Sequence, residues 1–327
     1  MADPAIGEQS PAPFTRRPAF HLLLLLLTAL SVFSVYLFVW GGGVEGDLSD
    51  RAWGSAFFTF SVLLILGAHE MGHYLMARAH GVDATWPYFI PIPLGFGTLG
   101  AVIRLRGRVP TRNALVDIGA AGPLCGLLVA VPLLAVGITL SSPIEVPESV
   151  RHFPPQTSLW HYAELLGQWA RHAFRDGPPL PAEADSTFIF GDNLLGLALV
   201  RLLHGRLAEG TDLAAHPVLV AGWFGMLVTM LNLLPVGQLD GGHLTHAWFD
   251  EKAVRLGRWV AGVLLPLALF CSASWLVWFF LVTRVVRFGH PSVTAPEEPL
   301  TFGRKVVCVA CFVATVLTFM PVPLDVG

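Results

Sequence analysis

The sequence predicts an all-α polytopic membrane protein. Only 13 % of its 327 residues are charged, whereas a soluble domain usually carries about 25 %. Hydrophobic residues make up 54 % of the chain, and they collect in runs of about 20, the length that an α-helix needs to cross a bilayer. So few charges could not cover a water-soluble fold. A net charge of −3 also argues against a nucleic-acid-binding protein, which would carry a basic surface.

Six apolar segments and one ambiguous segment predict about six to seven transmembrane helices. The apolar segments are 20–40, 53–79, 114–140, 213–235, 258–287 and 306–320. The segment 258–287 is too long for one upright helix, and the small, polar residues near its middle predict a hairpin of two short helices. The ambiguous segment, 186–207, carries an aspartate, two arginines and a histidine. Because such a load is costly inside a bilayer, we expect an interfacial or re-entrant helix there.

Basic and acidic residues beside these segments predict the topology. A Pro- and Ala-rich flexible tail, residues 1–19, contains Arg16 and Arg17 just before the first span, which places the N-terminus in the cytoplasm. The segment 141–185 is acidic and rich in proline, and it predicts an external loop within a single domain, 20–327. We therefore expect a multi-pass protein of the cell (inner) membrane, with the tail cytoplasmic.

The second apolar segment contains the sequence H-E-M-G-H, from His69 to His73. Positions i and i+4 lie on one face of a helix, so both imidazoles can bind one zinc ion. Glu70 lies about 100° further round the helix, where its carboxylate can reach a water that the metal activates, as a general base must. A glutamate between two histidines is costly in a membrane helix. The motif therefore predicts a catalytic zinc centre, within the lipid zone and nearer the cytoplasm.

A catalytic zinc ion needs a third protein ligand, and the stretch 231–243, L-N-L-L-P-V-G-Q-L-D-G-G-H, offers one. Pro235 should end the helix, and the glycines around it let the chain turn back, so that Asp240 can return to the level of the histidines. Asn232 should lie at a depth similar to that of His69, because the two spans run the same way. A role as a turn or N-cap residue is the alternative for Asp240.

The two motifs together resemble the patterns H-E-x-x-H and N-x-x-P-x-x-x-x-D-G of the site-2 protease family, the M50 intramembrane zinc metalloproteases. Segments 80–126 and 216–243 are similar to its EGY-type subgroup. The resemblance implies one zinc ion per chain, bound by the ligands His69, His73 and Asp240. It also implies that Glu70 is the catalytic base and that Asn232 is a polar group near the substrate or the oxyanion. The implied activity is cleavage of transmembrane segments of membrane-held proteins in regulated intramembrane proteolysis.

The chain departs from the family's pattern in two places. Many members carry G-P-x-x-N in the third span, but here Gly122-Pro123 is followed by Gly126, so the role of the asparagine is missing or supplied elsewhere. Many bacterial members carry a PDZ domain between the two motif spans. The loop 141–185 is too short for one, so we expect no selection of substrates by a PDZ domain.

Residues 94–109, L-G-F-G-T-L-G-A-V-I-R-L-R-G-R-V, predict a short membrane-associated β-hairpin or re-entrant loop. Cleavage of a peptide bond needs an extended substrate, because a helix hides its carbonyl groups. A strand edge beside the site could pair with the unwound substrate. The candidates for this substrate strand are Gly97, Gly100, Ala101 and Val102. A plain cytoplasmic connector is the alternative.

Three further polar residues have weaker assignments. Asp117 could orient a zinc-binding histidine, or it could be an interfacial residue or the partner of an arginine. We expect His243 and His246 to lie on the cytoplasmic face rather than to bind metal.

Two alternatives to a protease remain. One is a zinc transporter or another metal-binding membrane protein, which would use the same ligands without needing Glu70. The other is an inactive scaffold that binds transmembrane helices. In every case the expected partners are a transmembrane protein and the lipid bilayer, and not a nucleic acid.

Overall fold

The computed structural model of the protein describes six stretches of the chain. They are residues 18–40, 47–145, 155–175, 188–286, 288–289 and 293–326. Most of the predicted tail, including Arg16 and Arg17, and much of the predicted external loop lie outside these described residues.

Ten α-helices make up most of the described chain. They are α1 (Pro18–Val35), α2 (Leu48–Ala79), α3 (Arg112–Thr139), α4 (Leu159–Arg175), α5 (Leu194–Leu203), α6 (Pro217–Asn232), α7 (Asp240–Phe249), α8 (Lys252–Phe270), α9 (Ser274–Phe280) and α10 (Phe302–Thr318). α1 and α9 each continue into a π-helical turn, Tyr36–Trp40 and Leu281–Val286. Four helices are long and apolar enough to cross a membrane, namely α1 with its π turn, α2, α3 and α8. The predicted class, a mostly helical polytopic membrane protein, agrees with this architecture.

Short strands pair into four two-stranded antiparallel sheets among the described residues. The pairs are β1 (Asp83–Ala84) with β4 (Leu105–Arg106), β2 (Tyr88–Pro91) with β3 (Thr98–Val102), β5 (Pro143–Glu145) with β7 (Thr211–Leu213), and β6 (Phe188–Phe190) with β8 (Leu324–Val326). The segment 94–109, for which a short strand or hairpin was predicted, contains the strands β3 and β4. These strands do not pair with each other, because each pairs with a strand on the N-terminal side of that segment, β3 with β2 and β4 with β1.

Helices α2, α3 and α6 pack around a common core, and glycines bring their backbones close together. A Cβ at Gly72 of α2 would overlap the backbone carbonyl of Ala121 in α3. A Cβ at Gly222 of α6 would lie 2.7 Å from the backbone of Leu134, also in α3. In a membrane such close approach supplies the van der Waals contact that holds helices together.

The β2–β3 hairpin runs along most of α1. Near the start of α1, the His21 ring lies 4.4 Å from the ring of Tyr88. At its end, the indole of Trp40 stacks on Phe96 at the hairpin tip, with ring centroids 4.9 Å apart. From His21 to Trp40 the chain advances nineteen helical residues, which corresponds to a rise of about 28 Å. The hairpin therefore extends nearly as far as a bilayer is thick. A Cβ at Gly97 would overlap the backbone of α1, so this position requires glycine.

Two of the segment predictions can be compared with the helices directly. α5 has ten residues, so it rises only about 15 Å, in agreement with the prediction that 186–207 is not a full span. The segment 258–287 breaks after α8. There the backbone N–H groups of Cys271 and Ser272 both donate to Leu267, and a new helix starts at Ser274. The predicted break is confirmed, but α8 has 19 residues and is itself long enough to cross a membrane, so it is not a short helix.

Candidate metal centre

The H-E-M-G-H motif lies in the last third of α2, and its three polar side chains are buried. His69, Glu70 and His73 are 3 %, 6 % and 8 % exposed. The motif begins ten residues before the end of the helix, which is about 15 Å along its axis. The depth predicted from the sequence, inside the apolar zone but nearer this end, agrees with that position.

Asp240 joins the two histidines to form a compact triangle of ligand atoms. The two histidine Nε2 atoms lie 3.2 Å apart. Each lies 3.3 Å from one carboxylate oxygen of Asp240, His69 from Oδ2 and His73 from Oδ1. Ligands about 2.0–2.1 Å from a tetrahedral zinc ion are separated by about 3.3–3.4 Å. The two Nε2 atoms and the carboxylate of Asp240 are therefore close enough for one ligand atom from each residue to bind the same zinc ion.

The hydrogen bond at the far side of the His73 ring shows that this donor set suits a cation. Nδ1 of His73 lies 2.7 Å from the backbone carbonyl oxygen of Ile118. A carbonyl oxygen only accepts, so Nδ1 carries the hydrogen and Nε2 of the neutral ring keeps its lone pair. That lone pair points towards the Asp240 carboxylate and His69. Lone pairs converge in this way when a positive ion lies between them, and two histidines with a carboxylate are a known zinc ligand set.

A tight turn after α6 returns Asp240 to the histidines. α6 ends at Asn232, the chain turns through Gly237 with φ of +54°, and Asp240 is the first residue of α7. A Cβ at Gly241 would overlap the backbone of Leu233 at the end of α6. The glycines after the aspartate are therefore needed for α7 to pack against the turn, and this packing fixes the third ligand.

A row of glycines on α3, here called the glycine face, forms the wall behind the histidines. It consists of Gly119, Gly122 and Gly126. A Cβ at Gly122 would overlap the imidazole ring of His73, and a Cβ at Gly126 would lie 3.2 Å from Nδ1 of His69. Gly126 stands at the position of the family's asparagine, so that position contacts a ligand ring directly. The glycine face was not predicted from the sequence, although its glycines are spaced three and four residues apart, which places them on one side of a helix.

Glu70 faces a cavity of about 260 Å³ that also contains the metal ligands. The backbone N–H of Ile103, just after β3, donates a hydrogen bond to the Glu70 carboxylate. Of the predicted substrate strand, Ala101 and Val102 line this cavity. Glu70 and the end of β3 therefore share one wall of the site.

Gly97 and Gly100 of the predicted substrate strand are not brought to the cavity lining. Gly97 packs against α1, and the N–H of Gly100 donates to the hydroxyl of Thr98. Both have positive φ angles, +85° and +95°. They shape the strand, because other residues rarely adopt such angles.

Asn232 also lines the cavity, with its Nδ2 3.4 Å from Nε2 of His69. The structure thus brings together every residue predicted for the metal centre. It also places His243 in the cavity lining, although His243 is not one of the three residues that could hold a metal ion together. His243 is three residues after Asp240, and on a helix this spacing puts both on one face.

Asp117 does not contact either zinc-binding histidine. Its carboxylate accepts from Arg304 at 2.8 Å and lies 3.0 Å from Nε2 of His80. Of the roles considered for Asp117, the structure supports that of a partner for an arginine. The His73 ring is held instead by the backbone carbonyl of Ile118.

Comparison with known proteins agrees with this geometry. The model of peptidase family M50 matches residues 57–265. The probable zinc metalloprotease EGY1, chloroplastic, of Arabidopsis thaliana is 29 % identical over 264 residues, which are 80 % of this chain and 42 % of that protein. The probable zinc metalloprotease EGY2, chloroplastic, of Oryza sativa subsp. japonica is 31 % identical over 266 residues, again 80 % and 42 %.

The chain spans about two fifths of the length of these curated relatives. No solved structure shows a significant match. The family model covers well over half of the chain and includes both the H-E-M-G-H motif and Asp240. The chain is therefore an EGY-like member of peptidase family M50, the site-2 protease family.

Proposed function

We propose that the chain is an intramembrane zinc metalloendopeptidase that cleaves transmembrane segments of membrane-held proteins. The observation that carries this proposal is the ligand triangle of His69, His73 and Asp240, with Glu70 beside it in one cavity. Membership of peptidase family M50 and the similarity to the EGY zinc metalloproteases support it. A transporter would need the ligands but would not need a carboxylate held beside them.

Each group around the ligands would have a separate role in the reaction. Zinc, when bound, would act as a Lewis acid on the attacking water. Glu70 would take a proton from that water and later give it to the leaving amine, so it acts first as a base and then as an acid. The Ile103 N–H holds the carboxylate at the cavity wall. The amide of Asn232 could donate to the oxygen on which negative charge develops.

The edge of β3 is suited to hold an extended substrate. β3 pairs with β2 on one edge, and its other edge has no strand partner among the described residues. Ala101 and Val102 reach the cavity, so a substrate strand added here would place its peptide groups near the metal centre. Gly97 and Gly100 contribute by allowing the strand to bend.

The topology that we propose has six to seven spans. Besides the four long helices, the chain has shorter apolar helices, Pro217–Asn232 and Ser274–Val286, and α10 follows them. Several arginines follow α2, which favours a cytoplasmic position for the N-terminus and for the end that carries the metal centre. On this basis we propose the cell (inner) membrane. The relatives named above are chloroplast proteins.

The test is to measure zinc content and proteolysis together, in proteoliposomes that contain single-span reporter proteins. Wild type should hold about one zinc ion per chain, and His69→Ala and Asp240→Ala should lose it. Glu70→Gln should keep zinc and lose cleavage by at least about 100-fold, because general base catalysis is removed. Glu164→Gln removes an exposed carboxylate on α4 and serves as the matched control.

Three results would contradict the proposal. Cleavage by Glu70→Gln at the wild-type rate would exclude its role as the base. Zinc flux into the vesicles that survives Glu70→Gln, without any cleavage, would favour a transporter. Zinc binding with no cleavage of any reporter and no flux would favour the scaffold.

A further inference from the structure

A second cavity, here called the distal cavity, lies towards the end of the helix bundle opposite the metal centre. Its volume is about 380 Å³. Its apolar wall comes from the C-terminal half of α3 and the first ten residues of α6. The wall residues are Leu134, Ile138, Leu219, Trp223 and Met226. Met226 precedes Asn232 by six residues on α6, which is about 9 Å along the helix axis. The distal cavity therefore begins about two turns from the metal centre.

Three carboxylates surround the mouth of the distal cavity. They belong to Glu145 of β5, Asp192 and Asp212 of β7. None of the described residues that line this cavity is a lysine, an arginine or a histidine, and the ion pairs found in the described chain include none of the three. Burial raises the pKa of the Asp192 carboxyl, and the negative charge of Asp212 raises it further. Among the described residues, the lining of the distal cavity therefore contains three acidic side chains and no basic one.

Strand edges frame the same cavity. The lining includes Ile144 of β5 and Leu213 of β7 from one two-stranded sheet, and Ile189 and Phe190 of β6 from another. Each sheet has only two strands among the described residues, so each has edges that an extended chain could join. This arrangement fits a peptide better than a compact small molecule.

The wall of the distal cavity also touches the hairpin that carries β3. Trp223 donates its indole N–H to the carbonyl of Gly191 at 2.8 Å, and its ring lies 5.8 Å from Phe96 at the hairpin tip. From that tip, β3 leads to Ala101 and Val102 in the metal cavity. A chain bound at the distal cavity and a chain paired with β3 could therefore be one continuous substrate.

We propose that the distal cavity binds a basic, extended juxtamembrane segment of the transmembrane substrate, on the membrane side opposite the metal centre. This inference rests on the proposed function and adds a specificity subsite to it. An apolar side chain of the segment would fill the cavity, and a lysine or arginine would lie among Glu145, Asp192 and Asp212. A phospholipid headgroup fits less well, since its phosphate would bring negative charge to three carboxylates.

The structure also gives the spacing between this basic residue and the cleaved bond. Leu219 in the cavity wall and Asn232 at the metal centre are about 20 Å apart along α6. That distance corresponds to about six extended residues of substrate, or about thirteen helical ones. The basic residue should therefore precede or follow the cleaved bond by about six to thirteen positions, on the side that leads away from the metal centre.

The experiment measures binding by the Glu70→Gln variant in nanodiscs, so that it does not depend on cleavage. Three fluorescent single-span peptides would share one apolar stretch and differ only in the flank on the distal side, which carries three Lys, three Gln or three Glu. At low salt the Lys peptide should bind about 5- to 30-fold more tightly than the Gln peptide, and the Glu peptide more weakly. The difference should shrink at about 0.5 M salt, because screening weakens exposed charge pairs.

Two variants in the same background locate the effect. Asp192→Asn with Asp212→Asn should remove the preference for the Lys peptide and leave the affinity for the Gln peptide unchanged. Gly196→Leu should weaken binding of both peptides, because Gly196 lines the cavity and the larger side chain would fill part of it; its Cβ would lie 3.4 Å from its nearest neighbour, the side chain of Asn193. Glu164→Gln, which removes one negative charge on α4 outside the cavity, should alter nothing.

The outcomes separate this inference from the proposed function. Equal binding of the three peptides by a folded protein would overturn the subsite. Displacement of the Lys peptide by zwitterionic lipid, with no effect of flank charge, would assign the cavity to lipid and would also overturn it. A charge preference that the double variant abolishes would support the subsite, even if the wild-type protein cleaved none of the peptides. In that case the proposed function alone would fail.

Discussion

The substitution Gly122→Ala should disrupt the predicted metal centre, although it replaces none of the ligand residues. A Cβ at this position would overlap Nε2, Cδ2 and Cε1 of the His73 ring. An ordinary contact between a methyl carbon and a ring atom needs about 3.5 Å. The ring would therefore have to move by more than about 1 Å, away from α3.

The His73 ring cannot move that far and still bind zinc in the predicted geometry. Its Nδ1 is held by the Ile118 carbonyl at 2.7 Å, and zinc ligands keep their distances within about 0.2 Å. Loss of His73 from a three-ligand set should lower zinc affinity by at least about 100-fold. That factor corresponds to about 2.7 kcal/mol of binding free energy.

The assay is zinc competition with a chromophoric chelator, on protein purified in detergent. Gly262→Ala is the matched control, since it makes the same change in helix α8 where a Cβ would meet no atom within 4 Å. Gly126→Ala should have an intermediate effect, because its Cβ would lie 3.2 Å from Nδ1 of His69. If a folded Gly122→Ala protein bound zinc within about twofold of wild type, the placement of His73 against the glycine face would be refuted.

Two further predictions concern stability. Arg304→Met should lower the free energy of unfolding by at most about 1 kcal/mol, because its bidentate pair with Asp117 is partly exposed. Arg304→Lys should recover part of that loss, and unchanged thermal unfolding of Arg304→Met would show that the pair contributes nothing. Burial lowers the pKa of His216, so the folded state favours the neutral ring, and stability should fall as the pH drops below about 6.5. His216→Asn keeps a side chain that can cap α6, so it should lose less stability between about pH 7.5 and 5 than wild type; equal losses would contradict this assignment.

Local sequence was sufficient for the helices and for part of the site. The spacing of His69 and His73 guarantees a shared face as soon as the segment is helical. Pro235 and the glycines after it were enough to predict a turn that returns Asp240, and the structure has that turn. The helix break near Cys271 was also visible, because small polar residues interrupted an apolar run that was too long for one span.

The features that the sequence analysis missed depend on which helix faces meet. The glycines of α3 acquire their role only because that face packs against His69 and His73. The Ile118 carbonyl orients His73 for the same reason, while Asp117, one residue earlier, points to Arg304 instead. A backbone carbonyl has no residue type to reveal it, so no sequence motif could have assigned it.

The sequence by itself determined the class of protein, the positions of most helices and the chemistry of the metal ligands. These properties follow from composition, from apolar runs of bilayer length and from the period of the α-helix, all of which are local. Only the tertiary structure decided how distant segments combine. It placed Asp240 3.3 Å from both histidines, put His243 in the cavity wall, and led the hairpin from the end of α1 to Glu70. Such contacts depend on the close packing of side chains from several helices at once. They therefore cannot be predicted from the sequence of a single strand or helix.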